Sequence, residues 1–130
     1  MQKNILIVGA NGFTGRRILD TLMGKADYQV TGCSLHTDIH PHADNYRFVQ
    51  ADIRNDAAVH RLFEEIRPDL VINTSALSSP DYCENHRDET DETNIHAAAR
   101  LAANCERLGS RLIHLSTDFV FGGETDRLYT

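Results

Sequence analysis

The sequence of 130 residues contains no tryptophan, only two lysines (Lys3 and Lys25), and no long hydrophobic run. No apolar stretch approaches the roughly 20 residues that a membrane-spanning helix needs, so a membrane protein is not expected. No signal peptide is visible, because the first four residues lead directly into a predicted strand. The net charge of −6 argues against nucleic acid or an anionic membrane as the main partner. We therefore expect a cytoplasmic protein.

The three cysteines, Cys33, Cys83 and Cys105, are odd in number, widely spaced and outside any CxxC pattern. Zinc sites and disulfide frameworks are therefore not expected, in keeping with a reducing compartment. A cluster of histidines at positions 36–42 has no cysteine partner, and we interpret it as solvated loop histidines rather than a metal site. The acidic segment 81–92 is interpreted as solvent-exposed, its later members favouring a helix N-terminus.

Predicted strands and helices alternate along the chain without a repeat or a low-complexity linker. Hydrophobic runs predict five strands, at Ile5–Val8, Gln29–Cys33, Arg47–Gln50, Leu70–Asn73 and Leu112–Leu115. Helical spacing predicts about three turns containing Ile18 and Leu22, and a second helix between Asn55 and Pro68. A third, long helix is predicted to start between Asp88 and Thr93 and to end at Gly109. Its predicted core face consists of Ile95, Ala98, Ala99, Ala102 and Cys105.

This alternation predicts an α/β fold with right-handed crossovers. We expect a doubly wound parallel sheet of the Rossmann type with strand order 3-2-1-4-5, forming one domain over residues 1–130.

A glycine-rich turn, Gly9-Ala10-Asn11-Gly12-Phe13-Thr14-Gly15, directly follows the first strand. Gly9 would permit a sharp exit from the strand, Gly12 a close approach of backbone N–H groups to a pyrophosphate, and Gly15 tight helix packing. The helix N-terminus would add partial positive charge. A merely tight turn does not explain three glycines in this phase. The turn therefore predicts dinucleotide binding, with Asn11 and Phe13 counted among the binding residues.

The end of the second strand bears on the choice between NAD and NADP. An acidic residue there would bind the ribose 2′-hydroxyl of NAD, but the first carboxylate is Asp38, several residues into the loop. Ser34, His36 and Thr37 could instead donate hydrogen bonds to a 2′-phosphate. These residues predict a weak preference for NADP, since no arginine accompanies them.

Four motifs together resemble the dTDP-4-dehydrorhamnose reductase group of extended short-chain dehydrogenases/reductases. They are the glycine-rich turn, Ala51-Asp52-Ile53-Arg54, Asn73-Thr74-Ser75-Ala76 and Ser116-Thr117-Asp118-Phe119-Val120-Phe121. The segment Asp81-Tyr82-Cys83-Glu84 is similar to that group's Asp-x-x-Glu, and Asn94 falls where such enzymes carry an asparagine. The resemblance covers nearly the whole chain.

The resemblance implies roles for the residues after the third and fourth strands. Asp52 would accept from the adenine amino group, and Ile53 would pack on the ring. Asn73, Ser75 and Ala76 would line the cofactor near the adenosine-side ribose and pyrophosphate. Asn94 is counted with these cofactor-binding residues.

After the fifth strand, Thr117 matches the catalytic Ser/Thr that hydrogen-bonds the substrate carbonyl. Ser116, counted as a cofactor-binding residue, and Asp118 would support it, while Val120 and Phe121 would shape the nicotinamide and sugar pocket. The alternative interpretation is a strand-end turn with short polar side chains.

The catalytic pair of this family, a tyrosine with a lysine four residues later, is absent from the sequence, since no lysine follows Lys25. The lysine would lower the tyrosine's pKa. Tyr129 has no such partner and is not assigned as catalytic. We expect the chain to be the N-terminal part of a longer polypeptide, one that binds cofactor but is inactive alone.

Three functions remain open. The first is NAD(P)H-dependent reduction of a nucleotide-linked 4-keto-6-deoxy sugar, with the nucleotide sugar as partner and a homodimer left open. The second is a non-catalytic regulatory subunit resembling the β subunit of methionine adenosyltransferase, whose Gly-Cys pair is similar to Gly32-Cys33. The third is an epimerase or dehydratase acting on nucleotide sugars.

Overall fold

A computed structural model describes residues 1–117, 122–124 and 126–128 of the chain. Its parallel strands are β1 (Lys3–Val8), β2 (Tyr28–Ser34), β3 (Tyr46–Gln50), β4 (Leu70–Asn73) and β5 (Arg111–His114). They form one sheet with the order β3-β2-β1-β4-β5. This confirms the predicted doubly wound sheet, although β5 lies one residue earlier than predicted.

The register of the sheet brings the ends of three strands together. Val8, the last residue of β1, pairs with Cys33 of β2 on one side and with Asn73 of β4 on the other. Because all strands are parallel, their carboxyl ends lie at the same edge of the sheet. The topological switch point, where the strand order changes direction, lies between β1 and β4 at this edge. The glycine-rich turn leaves β1 at this point.

The first two helices agree with the sequence patterns. Helix α1 (Phe13–Leu22) follows the glycine-rich turn, and α2 (Asp56–Ile66) begins where the Asn55 side chain accepts from the Ala58 N–H at 2.9 Å. Helix α2 ends at Arg67, whose left-handed backbone (φ 48°) turns the chain into Pro68.

The third helical region is more complex than predicted. A short helix α3 (Pro80–Asn85) comes first, followed by α4 (Arg87–Asp91), a π-helical turn (Glu92–His96) and α5 (Ala97–Leu108). The last three run on from one another, and Gly109 ends them in the left-handed conformation (φ 70°), as predicted.

The predicted core face of this helix is wrong for Ile95, Ala99 and Ala102, whereas Cys105 is buried as predicted and Ala98 is half-buried. Ala97 and Leu101 are buried, whereas Ile95 is 57% exposed, and Ala99 and Ala102 are also exposed. Ile95 lies in the π-helical turn, which changes the phase of the side chains relative to an ideal α-helix. Burying Leu101 removes more apolar surface from water than burying alanine, so the face containing leucine packs inward.

Helices cover the two faces of the sheet differently. Helices α2 and α5 pack over Leu6, Val8 and Val71, while α1 packs over Ile5 and Ile7 on the other face. The β2–β3 connection contains no helix, and Tyr46 instead packs into the α1-side core. None of the helices in the described parts of the chain has the length and apolar character needed to cross a membrane.

On the α1 side, the sheet is open near β4 and β5. A depression of about 1000 Å³ lies there, with Leu70, Ile72 and Ile113 among its lining residues. Ile113 is 51% exposed, in contrast to the fully buried Ile7 of β1. The sheet is therefore well covered at its centre and exposed along β5.

Candidate nucleotide-binding site

A cleft of about 270 Å³ opens at the carboxyl ends of β1, β2 and β4, where open α/β sheets place their ligands. It brings together seven of the residues predicted to bind the cofactor: Gly9, Gly12, Ser34, Asp52, Ile53, Ser75 and Ala76. Thr74, for which no role was predicted from the sequence, also lines it. Its hydroxyl donates to the Val8 carbonyl at 2.8 Å and thereby joins the β4 loop to β1.

The glycine-rich turn has no room for side chains at two of its glycines. Gly9 has a φ of 82°, and a Cβ there would lie 2.6 Å from Thr74 Oγ1 and 2.8 Å from the Ser75 nitrogen. A Cβ on Gly15 would overlap the Gly9 carbonyl oxygen. The loop after β4 can therefore approach the turn this closely only because residue 9 is glycine, and α1 can pack against the end of β1 only because residue 15 is glycine.

The turn has the features required by a dinucleotide pyrophosphate. Gly12 is the N-cap of α1, and no side chain in the described part of the chain caps the helix, so its first N–H groups face outward beside an exposed glycine. Such N–H groups bind anions. The Oδ1 atom of Asn11 is buried and has no hydrogen-bond partner among the described residues, while its Nδ2 donates to the Thr37 carbonyl at 2.8 Å. This acceptor would suit a hydroxyl donor or a water.

The β2–β3 loop is bound to the glycine-rich turn. His40 Nε2 lies 3.0 Å from the Ala10 carbonyl oxygen, and its ring packs edge-on against Tyr46. Our interpretation of His40 as a solvated loop histidine is therefore wrong. His36 and Thr37 are exposed. For His36 this agrees with the interpretation as a solvated loop histidine.

Asp38 is already engaged within this loop. Its Oδ1 accepts from the Tyr46 hydroxyl at 2.9 Å and from the His40 N–H at 3.0 Å. Burial, followed by the bond to Asp38, raises the pKa of Tyr46 well above its usual range. Asp38 therefore stabilises the loop. Of the predicted 2′-phosphate donors, Ser34 is the one that lines the cleft.

Asn73 and Asn94 lie behind the cleft and hold its wall in place. Asn73 is buried, and its Oδ1 accepts from both the backbone N–H and the hydroxyl of Ser75, at 3.0 and 2.6 Å. Asn94, in the π-helical turn, accepts from the Leu77 N–H at 2.8 Å and donates to the Leu77 carbonyl at 2.9 Å. Both asparagines therefore fix the loop after β4. This structural role differs from the direct cofactor contact predicted for them, which stays a prediction.

An ion-pair network closes the far end of the cleft. Arg54 forms a two-point contact with the Asp52 carboxylate, with Nε and Nη2 both at 2.9 Å from an oxygen, and it reaches Glu89 at 3.5 Å. The hydrogen bond from the Arg54 side chain holds the pKa of Asp52 below its usual range. Glu89, interpreted above as a solvent-exposed acid, lines the cleft instead.

Sequence reasoning missed Glu89 because 35 residues separate it from Arg54. Arg54 itself belongs to a motif quoted above, and its position two residues after Asp52 was the available signal. The pairing with α4 depends on tertiary structure.

Phe13, Ser116 and Thr117 do not line the cleft. Phe13 opens α1 and is 84% exposed, and Ser116 and Thr117 are exposed beyond β5. Asp118, Val120, Phe121 and Tyr129 fall outside the described residues. Within the described ranges, no three histidine, cysteine or acidic side chains are grouped as metal ligands. Cys33, at the cleft, has its thiol pKa raised to about 12 by burial.

A family model described as "RmlD substrate binding domain" matches residues 2–130. Among curated relatives, a probable low-salt glycan biosynthesis reductase, Agl14 of Haloferax volcanii, is 37% identical over 123 residues, 95% of this chain and 40% of that protein. The methionine adenosyltransferase 2 subunit beta of Bos taurus is 29% identical over 121 residues, 93% of this chain and 34% of that protein.

Two solved structures of dTDP-4-dehydrorhamnose reductases share the fold. The Clostridium acetobutylicum structure has a TM-score of 0.77 and 33% identity, covering 95% of this chain and 39% of that one. The Bacillus anthracis structure, in complex with NADP, has a TM-score of 0.73 and 25% identity, covering 97% and 40%. The chain spans 34–40% of the length of the curated relatives described above.

Proposed function

We propose a function from the premise that the chain belongs to the family described as the RmlD substrate binding domain, within the extended short-chain dehydrogenases/reductases. The intact protein is proposed to be an NAD(P)H-dependent reductase of a nucleotide-linked 4-keto-6-deoxy sugar. Residues 1–130 would supply its cofactor site. The observation that carries the proposal is the cleft beside the uncapped start of α1, because its wall combines the glycine-rich turn with Asp52 and Ser75.

Several residues of the cleft have a role under this proposal. The exposed N–H groups of the α1 start bind the pyrophosphate. Asp52 accepts from the adenine amino group while Ile53 packs on the ring, and Ser75 and Ala76 line the adenosine-side ribose. The bound cofactor supplies a hydride. Thr117, beyond β5, hydrogen-bonds the substrate carbonyl and so orients it for reduction.

We propose NADPH as the preferred cofactor. The support is the commitment of Asp38 to Tyr46 and His40, which leaves the end of β2 without a carboxylate available to a ribose 2′-hydroxyl. Ser34 is a hydroxyl donor at the cleft. The buried acceptor Asn11 Oδ1 does not distinguish NADPH from NADH, since both cofactors carry ribose hydroxyls that could donate to it.

The decisive experiment measures NADPH oxidation by the intact protein with dTDP-4-dehydrorhamnose as substrate. We expect turnover, and we expect Thr117→Val to lower kcat by about 100-fold or more while changing the Kd for NADPH by less than about twofold. The 130-residue chain alone should bind NADPH without turnover, because it contains no Tyr-x-x-x-Lys. Turnover by that chain alone would overturn this part of the proposal.

The same assay separates a reductase from an epimerase or dehydratase, since those reactions return the hydride to the sugar and consume no NADPH. A nucleotide sugar converted without net NADPH oxidation would replace the reductase proposal with one of these.

The alternative function is a non-catalytic NAD(P)-binding regulatory subunit, favoured by the match of 93% of this chain to the methionine adenosyltransferase β subunit. Its test adds the intact protein to a methionine adenosyltransferase catalytic subunit. A saturable change in that enzyme's activity, combined with no NADPH oxidation in the assay above, would favour the alternative.

A further inference from the structure

The adenine end of the cleft contains a charged group that the proposed function does not yet use. We propose that Arg54 is a positioning residue, which fixes the Asp52 carboxylate so that the site selects adenine over purines carrying an oxygen at C6. This inference rests on the proposed function, because it assumes that an adenine nucleotide occupies the cleft.

The first support is the geometry of the contact between the two side chains. Asp52 Oδ1 accepts from the Arg54 backbone N–H at 3.0 Å and from Nε at 2.9 Å, while Oδ2 accepts from Nη2 at 2.9 Å. A carboxylate offers about four acceptor positions. The guanidinium therefore fixes the orientation of the carboxylate. Because Arg54 Nε also lies 3.2 Å from Oδ2 and is shared between the two oxygens, three donor hydrogens occupy the carboxylate and about one of its acceptor positions is left for a further hydrogen bond.

The second support is that Arg54 is held from its other side as well. Its Nη1 lies 3.5 Å from Glu89 Oε1, and Glu89 Oε2 accepts from the Tyr82 hydroxyl at 2.6 Å. Arg54, Asp52 and Glu89 all line the cleft. Because α4 holds the outer side of the guanidinium, Arg54 stays paired with Asp52 and does not turn toward the phosphates of a bound nucleotide.

The third support is the chemistry of the acceptor. An ionised carboxylate accepts hydrogen bonds and cannot donate them. The 6-amino group of adenine is a donor and pairs with it, whereas the 6-oxo group of hypoxanthine is an acceptor and opposes it. Arg54 holds the Asp52 carboxylate in a fixed orientation, so the discrimination between these bases depends on both residues.

A purely structural role is the competing explanation, in which Arg54 only ties α4 to the loop after β3. The ion pair is about one-third exposed, with side-chain exposures of 33% for Arg54 and 37% for Asp52, so it adds little to stability. A structural role would weaken the binding of all nucleotides alike. A positioning role changes the ratio of their affinities.

The experiment measures the Kd of ADP and of IDP for the intact protein by calorimetry. These ligands differ in the group at C6 and share the pyrophosphate. We expect wild type to bind ADP about tenfold more tightly, the effect of one hydrogen bond to a charged group. Arg54→Gln should weaken ADP and leave IDP nearly unchanged, reducing the preference to about twofold. Arg54→Lys should lie between, because lysine lacks the two-point contact.

The matched control is Arg47→Gln, which removes another surface arginine–carboxylate pair, that with Glu65, remote from the cleft lining. It should retain the full tenfold preference. If Arg54→Gln does not fold, Glu89→Ala decides, with an expected preference of about fourfold. The inference is overturned if Arg54→Gln keeps the tenfold ratio or weakens the binding of ADP and IDP equally. If Arg54→Gln is unfolded, an unchanged ratio in Glu89→Ala overturns it.

The outcomes also separate this inference from the proposed function. Wild-type protein that binds ADP without discriminating it from IDP overturns the inference and leaves cofactor binding in place. Protein that binds neither NADPH nor ADP contradicts the proposed cofactor site itself.

Discussion

The carboxyl ends of β1, β2 and β4 differ sharply from the end of β5. At the former, each loop is hydrogen-bonded to another, as in the bonds of Asn11 to the Thr37 carbonyl and of Thr74 to the Val8 carbonyl. At the latter, Ser116 and Thr117 follow an exposed strand end. The ends of β1, β2 and β4 are therefore joined by contacts between segments that are remote in the chain, whereas the end of β5 is more exposed to solvent. Substitutions should affect the two sides unequally.

The largest difference is expected between two glycines. Gly15→Ala should lower the free energy of unfolding by about 2–3 kcal/mol, because its Cβ would overlap the Gly9 carbonyl and helix α1 would have to move. Gly109→Ala, at the end of α5 before β5, should cost only about 1 kcal/mol, since its Cβ would meet no atom of the residues that the structure describes within 4 Å and only its φ of 70° is unfavourable. Urea denaturation of the two variants measures this, and equal losses would contradict the comparison.

A smaller effect is expected at the asparagine that anchors the loop after β4. Asn94→Ala leaves the Leu77 N–H and carbonyl without their partner, so it should cost about 1–2 kcal/mol and weaken NADPH binding about fivefold. Asn104→Ala, on α5, loses one bond to the Arg100 carbonyl and one from Arg107, and should change stability by less than about 0.5 kcal/mol. Thermal denaturation and NADPH titration test both, and a similar loss of affinity in the two variants would show that the anchor is unimportant.

The smallest effect is the pH dependence contributed by Asp52. Its pKa is lowered in the folded protein, so its ion pair contributes stability above the unfolded pKa of about 3.9 and loses it as the pH falls through the folded pKa. We expect Asp52→Asn to be less stable than wild type at pH 7 by less than about 1 kcal/mol, since the pair is partly exposed. The difference should shrink below pH 4, and an undiminished difference in acid, measured by urea denaturation, would refute the assignment.

Much of the fold could be predicted because each element carries a local signal. The apolar run of β1 and the Asn55 cap of α2 act within a few residues, and the strand order follows from the alternation of elements. The face of α5 could not be predicted in the same way. The π-helical turn interrupts the helical period, and Leu101 is buried because of what it packs against.

The candidate site divides along the same line. The glycine-rich turn and the Asp52-Ile53 pair could be found from their motifs, and they do line the cleft. The supporting contacts could not be found. Asp38 engages Tyr46, Asn94 holds Leu77, and Glu89 reaches Arg54 only because the fold brings together segments up to 35 residues apart.

The sequence by itself determined the sheet order and the position of the glycine-rich turn, because short-range patterns of apolar residues, caps and glycines decide where strands and helices begin and end. The tertiary structure alone decided which face of α5 is buried, why Gly9 and Gly15 must lack a Cβ, and which acidic residue pairs with Arg54. These properties depend on distances between residues that are remote in the chain, and no local pattern encodes such distances.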